Sequence, residues 1–127
     1  MAIYDCFQYF NEDHVVDLRL NILDKYVDYF VVSESTRNHQ GENKELNFNV
    51  NRFSKFKKKI IYLVANPGED LIRKKHKYGH SLIEQHQRNY LINGLNKADN
   101  NDLILVSDSD EIPDLRKLSL IKKKFFA

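Results

Sequence analysis

Asp108, Asp110 and Glu111 place three carboxylates within four residues, with Ser109 between the first two. Two carboxylates in an Asp-X-Asp arrangement can share one hard divalent cation, and such a cation can carry the charge of a diphosphate. Oxygen donors of this kind select Mg2+ or Mn2+ rather than zinc. Just upstream, Leu103 to Val106 is continuously apolar, which reads as a strand buried inside a parallel sheet. Ligands of open α/β sheets bind beyond the carboxyl ends of the strands, so these acids are expected on the ligand-binding edge. The same residues also suit a helix N-terminus with Pro113 in its first turn. Their position after an apolar strand favours the metal and diphosphate reading.

The elements that must carry this motif follow from periodicity. Ile3 to Phe10 is rich in aromatic and β-branched residues and predicts a first strand. Val15, Leu18, Ile22 and Tyr26 then recur at helical spacing, with Asn11 or Asp13 as N-cap, and predict an amphipathic helix over 12–26. Tyr29 to Val32 predicts a second strand ended by Ser33-Glu34-Ser35, which completes a βαβ unit with a parallel strand pair. Thr36 to Leu46 is polar, with a turn signal at Asn38-His39-Gln40-Gly41, and is long enough for a connection to suggest function. Residues 51–59 predict a short helix that packs Phe53 and Phe56 on the sheet and leaves Lys55, Lys57, Lys58 and Lys59 in water. Ile60 to Ala65 is a third strand, stopped by Asn66-Pro67-Gly68. The basic run Arg73 to Lys77 reads as a solvated surface, with phosphate contact as the sharper alternative. Ser81 to Asn96 predicts a helix carrying Glu84, Arg88 and Asn89, the first two an i, i+4 pair. A further helix is expected to start after Pro113. The sum is one α/β domain over residues 1–127, a mostly parallel sheet of about four strands flanked by helices.

Composition excludes several classes. The 127 residues carry 20 basic and 18 acidic side chains, a net charge of +2, so the basic excess of a nucleic-acid-binding domain is absent. No apolar run approaches a membrane span and the N-terminus lacks the pattern of a secretory signal; the expectation is a soluble, cytoplasmic protein. The single Cys6 cannot form an intramolecular disulfide and reads as a small apolar residue of the first strand. His76, His80 and His86 have no cysteine cluster beside them and a doubtful shared helical face, which disfavours zinc. No G-x-G-x-x-G or G-x-x-x-x-G-K-[ST] loop occurs, which disfavours dehydrogenases and P-loop NTPases. Glu34, ending the second strand, can hydrogen-bond a ribose or base, or can simply face solvent in a turn.

Several segments taken together resemble a known family. Ile3-Tyr4-Asp5-Cys6-Phe7, Phe10-Asn11-Glu12, Asp17-Leu18-Arg19-Leu20-Asn21, Val31-Val32-Ser33-Glu34, His39-Gln40-Gly41, Arg52-Phe53, Gln87-Arg88-Asn89 and Ser107 to Pro113 are similar to the glycosyltransferase family that contains β-1,4-mannosyl-glycoprotein N-acetylglucosaminyltransferase. The resemblance covers nearly the whole chain and implies a GT-A-like, Rossmann-like nucleotide-sugar fold. It implies that Asp108 and Asp110 hold a metal and, through Asp108, the donor diphosphate. It further implies that Arg88 and Asn89 are a polar donor-binding pair and that Glu34 stands near the nucleotide. Members of that family continue well beyond the Asp-X-Asp strand, so the resemblance implies that this chain is the N-terminal, donor-binding portion of a longer fold. An inverting transfer needs a base for the acceptor hydroxyl; Glu111 is the nearest carboxylate, and a supporting role beside the metal ligands suits it equally.

Two functions are therefore expected from different classes. The first is a metal-dependent, inverting glycosyltransferase that takes a UDP-sugar, with N-acetylglucosamine as the sugar the resemblance suggests, and a glycan acceptor. The second is a non-catalytic nucleotide-binding or interaction module, suggested by the end at Lys122 to Ala127. Phosphatase chemistry with Asp108 as nucleophile is weaker, because nothing downstream supplies a second acidic site.

Overall fold

The computed structural model describes residues 1–78 and 81–118, and the side chains of these except 75–78 and 81. Four strands, β1 (Ile3–Tyr9), β2 (Tyr29–Ser35), β3 (Ile60–Ala65) and β4 (Leu103–Val106), form one sheet in the order β3-β2-β1-β4. Every pairing is parallel, with Cys6 opposite both Val31 and Val106. Helix α1 (Asp13–Leu23) connects β1 to β2, a loop and a 3-10 helix connect β2 to β3, and α2 (Glu69–Tyr78) and α3 (Ser81–Asn89) lie between β3 and β4. The protein is thus the α/β sheet expected from the sequence, consistent with a GT-A-like, Rossmann-like domain.

Period-two alternation divides the core between the two faces of the sheet. Ile3, Phe7 and Tyr9 of β1, with Phe30 and Val32 of β2, pack against Val16, Leu20 and Leu23 of α1 and against Phe53 and Phe56. Tyr4, Cys6 and Val31 point the other way, toward Leu91, Leu95 and Ala98. Cys6 is fully buried, and burial pushes its thiol up to about 12, which keeps it protonated as the apolar filler expected of it. The short helix predicted after residue 50 is a 3-10 helix over Val50–Lys59, kinked at Phe53, with both phenylalanines buried. Lys59 departs from the expected solvent face: its Nζ donates to the carbonyls of Asp24 and Val27 and pairs with the Asp24 carboxylate at 3.0 Å.

Three expectations are corrected. The helix α1 buries Val16, Arg19, Leu20 and Leu23, whereas Leu18 and Ile22 of the predicted stripe are exposed. Two stripes compete on this helix, and the winning one contains an arginine that the sheet neutralises from beneath. Neither Asn11 nor Asp13 caps the helix: Glu12 is the N-cap residue, and its carboxylate instead accepts from the backbone N–H groups of Phe10 and Asn11. The apolar strand β4 is not buried on both faces but lies at an edge of the described sheet, paired only with β1, with Val106 54% exposed.

The remaining elements fall near their predicted places. The polar residues Ser33-Glu34-Ser35 continue β2 rather than ending it, because each finds buried partners. The predicted helix over 81–96 is α3 followed by a 3-10 turn at Tyr90–Gly94. Past Pro113 a 3-10 turn, Leu115–Lys117, begins at Asp114, whose side chain accepts the Arg116 N–H. The basic run lies on α2, where Arg73 and Lys74 are exposed. The side chains of Lys75, His76 and Lys77, residues 79–80 with His80, and the segment Lys122 to Ala127 fall outside the described residues. No helix among the described residues is long and apolar enough to cross a membrane.

Candidate functional site

Because the sheet is parallel, all four strands deliver their carboxyl ends to one edge. The chain leaves β1 toward β2 through α1 on one face, and it reaches β4, on the other side of β1, through α2 and α3. The α3 side chains Gln87 and Arg88 bond to groups at the ends of β1, β2 and β4. The gap between the ends of β1 and β4 is therefore the topological switch point at which open α/β sheets take ligands. A cleft of about 340 Å³ lies there, floored by Tyr9 and Phe10 after β1 and walled by Asp108, Ser109 and Asp110 after β4. Glu84 and Gln87 of α3 close a third side, and His39 enters from the long loop after β2.

The acidic loop is held by backbone contacts and by one buried side chain. Ser107 N–H donates to the Cys6 carbonyl and continues the ladder one residue past β4. Glu111 N–H donates to the Asp108 carbonyl, and the Asp108 N–H donates back to the Glu111 carboxylate at 3.1 Å. The Ser107 hydroxyl donates to the Glu111 carbonyl. Beneath this turn sits Arg19 of α1, fully buried, with its guanidinium in a two-point pair with Asp5 of β1 at 2.6 and 2.8 Å. The same guanidinium donates to the Ser107 hydroxyl and to the carbonyls of Asp108, Ser109 and Glu111. Sequence reasoning missed both Arg19 and Asp5. The available signal was a charge on an odd position of β1 and a charge of opposite sign within a stripe of buried helix positions.

Each residue singled out in the sequence has a definite place. Asp108 and Asp110 line the same cleft. Asp108 is half-exposed and accepts a hydrogen bond from Arg88 at 2.7 Å, so Arg88 reaches the motif rather than its i, i−4 neighbour Glu84. With its amide oriented to satisfy both neighbours, Gln8 accepts from Arg88 Nε and donates to the Glu84 carbonyl. Asn89 lies outside the cleft; it lines a neighbouring groove with Arg88, Leu91, Leu95 and Val106, and Arg88 meets the cleft through its bond to Asp108. Glu111 does not line the cleft, since its carboxylate is turned to the Asp108 N–H.

Glu34 is fully buried, and its four bonds come from the chain itself. Lys44 Nζ and the Asn47 N–H donate to one oxygen at 2.7 and 2.6 Å, and the Phe48 N–H and Tyr62 hydroxyl donate to the other at 3.0 and 2.7 Å. Burial together with this bond to Glu34 raises the Tyr62 pKa well above that of a free phenol. Glu34 thus ties the loop carrying His39 to the end of β2. Within that loop, Asn38 Oδ1 accepts from the N–H groups of Gln40 and Glu42, and Gly41 takes a positive φ of 86°, which a side chain would disfavour. Gln87 fastens α3 in the same manner: its side chain donates to the carbonyls of Tyr9 and Ser33, and its own carbonyl accepts the Ser33 hydroxyl.

Chemically, the cleft offers two hard carboxylates and one adjacent guanidinium on a rigid frame. No cluster of three or more His, Cys, Asp or Glu suited to a metal occurs among the described residues. A pair of carboxylates suits a cation that keeps waters and shares a phosphate ligand, as Mg2+ commonly does, and not a cation caged by protein alone. The model of glycosyltransferase family 17 matches residues 1–124 of the chain. Neither a curated protein nor a solved structure matches it.

Proposed function

The chain belongs to glycosyltransferase family 17, and from that premise we propose that it moves a sugar from a UDP-sugar to a glycan hydroxyl, with inversion and with Mn2+ or Mg2+. Glycosyl transfer follows from the family; the donor, the metal and the stereochemistry are the proposal. The observation that carries it is the pairing of Asp108 with Asp110 in the cleft between the ends of β1 and β4, with Arg88 against Asp108. Asp108 and Asp110 would hold the cation. A bound divalent cation supplies Lewis-acid stabilisation to a departing diphosphate.

The other named residues act around that pair. Arg88 presents a planar fork suited to phosphate oxygens. Its bond to Asp108 joins two half-exposed groups, a class of ion pair worth about 0–1 kcal/mol, so the guanidinium can turn to a diphosphate at little cost. Gln87 and Glu34 hold α3 and the His39 loop in place, so the cleft exists before the donor arrives. Such preorganisation lowers the cost of binding. Glu111 shapes the acidic turn through the Asp108 N–H, a role that leaves proton transfer from the acceptor to another group.

Calorimetry with UDP and Mn2+ tests the reading. Binding by the unaltered protein and its loss in Asp110→Ala are expected. Equal binding by the two proteins, or binding indifferent to Mn2+, would refute the metal site. Release of UDP from UDP-N-acetylglucosamine only when a glycan acceptor is present separates a transferase from a nucleotide-binding module.

A further inference from the structure

The helix α1 carries an arginine where apolar packing would suffice. Arg19 heads the fully buried side chains by size, and its guanidinium makes six hydrogen bonds with Asp5, Ser107, Asp108, Ser109 and Glu111. An apolar side chain of similar volume would fill the space between α1 and β1 without the desolvation cost of a buried ion pair. It would not reproduce the grip on the acidic loop.

That grip has a direction. Nη1 gathers the carbonyls of Asp108, Ser109 and Glu111 at 2.7, 3.3 and 3.1 Å, and Nη2 takes the Ser107 hydroxyl at 2.7 Å. Three carbonyls gathered on one nitrogen fix the backbone of the turn that carries Asp108 and Asp110, both of which line the cleft. Asp5, through Nε and Nη2, fixes the plane of the fork. We propose that Arg19, aligned by Asp5, is the positioning residue of the donor site, setting the separation and aim of Asp108 and Asp110. The inference rests on the donor-site reading above, but its structural half concerns the loop alone. A lysine in this place would keep the charge beside Asp5 while lacking the planar fork that reaches the carbonyls and the hydroxyl together.

The test compares Arg19→Lys with Phe56→Leu, a core change under the amino end of β2, where Phe56 meets Phe30 edge-on. In Arg19→Lys, amide exchange in residues 107–111 is expected to quicken about 10-fold, and the dissociation constant for UDP with Mn2+ to rise about 10–100-fold, the usual scale for loss of support behind a metal ligand. Phe56→Leu should lower Tm and leave both quantities unchanged. Wild-type exchange in 107–111, or an unchanged dissociation constant, in Arg19→Lys would overturn the proposal. Should Arg19→Lys not fold, Ser107→Ala removes only the hydroxyl bridge between Arg19 and Glu111. Quicker exchange of 107–111 in that variant supports the grip, and unchanged exchange overturns it. Absence of Mn2+-dependent UDP binding in the unaltered protein would instead defeat the donor reading, and the exchange measurement would still decide whether Arg19 holds the loop.

Discussion

Replacing Glu34 with glutamine distinguishes a ligand-binding acid from an acid that builds the site. The carboxylate accepts four hydrogen bonds, from Lys44, Asn47, Phe48 and Tyr62, in a fully buried position. Glutamine keeps one accepting oxygen and brings an amide group that only donates. If that group takes the place of the oxygen near Lys44 and Asn47, it faces two groups that cannot accept. In the other orientation the Tyr62 hydroxyl can turn and accept, and only the Phe48 N–H is left unpaired. The second orientation is therefore preferred. Its cost is one buried unsatisfied donor, about 1–3 kcal/mol, plus the loss of charge assistance in the bonds that remain. A total of about 2–4 kcal/mol corresponds to a fall in Tm of roughly 10 °C for a domain of this size. The assay is thermal unfolding of Glu34→Gln in the absence of any nucleotide, with Glu45→Gln as an exposed control. A Tm within 2 °C of the unaltered protein, about the effect of an exposed substitution, would refute the reasoning and return Glu34 to the role of a free ligand contact.

Two further outcomes follow from the packing and the titrating groups. A Cβ on Gly94 would stand 2.4 Å from Val31 Cγ1 and 3.2 Å from Cγ2, in a fully packed part of the sheet. Gly94→Ala should therefore cost about 1–3 kcal/mol in urea unfolding. The double variant with Val31→Ala should lose less than the two single changes added together. His86 has its pKa lowered by burial, and its Nδ1 is buried with no partner among the described residues. The folded state resists the proton that the unfolded chain accepts near 6.5, so stability is complete above that pH and is lost as pH falls toward the depressed folded value. The urea midpoint of His86→Phe should fall less than that of the unaltered protein between roughly pH 7 and pH 5.

Much of the scaffold was legible because local pattern and tertiary demand agree there. The span Ile60–Ala65 is β3 as read, since a β-branched run stopped by Pro67 and Gly68 has no competing helical reading. Phe53 and Phe56 pack as their spacing predicts. The helix α1 was legible in existence but not in orientation. Val15, Leu18, Ile22 and Tyr26 make a plausible stripe, and Val16, Leu20, Leu23 and Val27 make another. Only the second lies over a neutralising carboxylate, so an arginine within it can be buried. Glu34 was legible as an unusual acid at a strand end, but its four donors come from residues 10 to 28 positions away in the chain.

The sequence by itself determined the kind of protein this is: four parallel strands, their order of appearance, and an Asp-X-Asp element after the last of them. Those features follow from apolar periodicity and from local turn chemistry, which act over a few residues and leave their mark in the chain. Tertiary structure alone decided the rest. It put β4 beside β1 at an edge of the described sheet, brought Arg88 from α3 to Asp108, and pressed the buried Arg19–Asp5 pair against the back of the acidic loop. Lateral strand order joins residues as far apart as Ile3 and Leu103, and Arg19 reaches across the chain to the carbonyl of Glu111; no short-range pattern encodes which partners will meet.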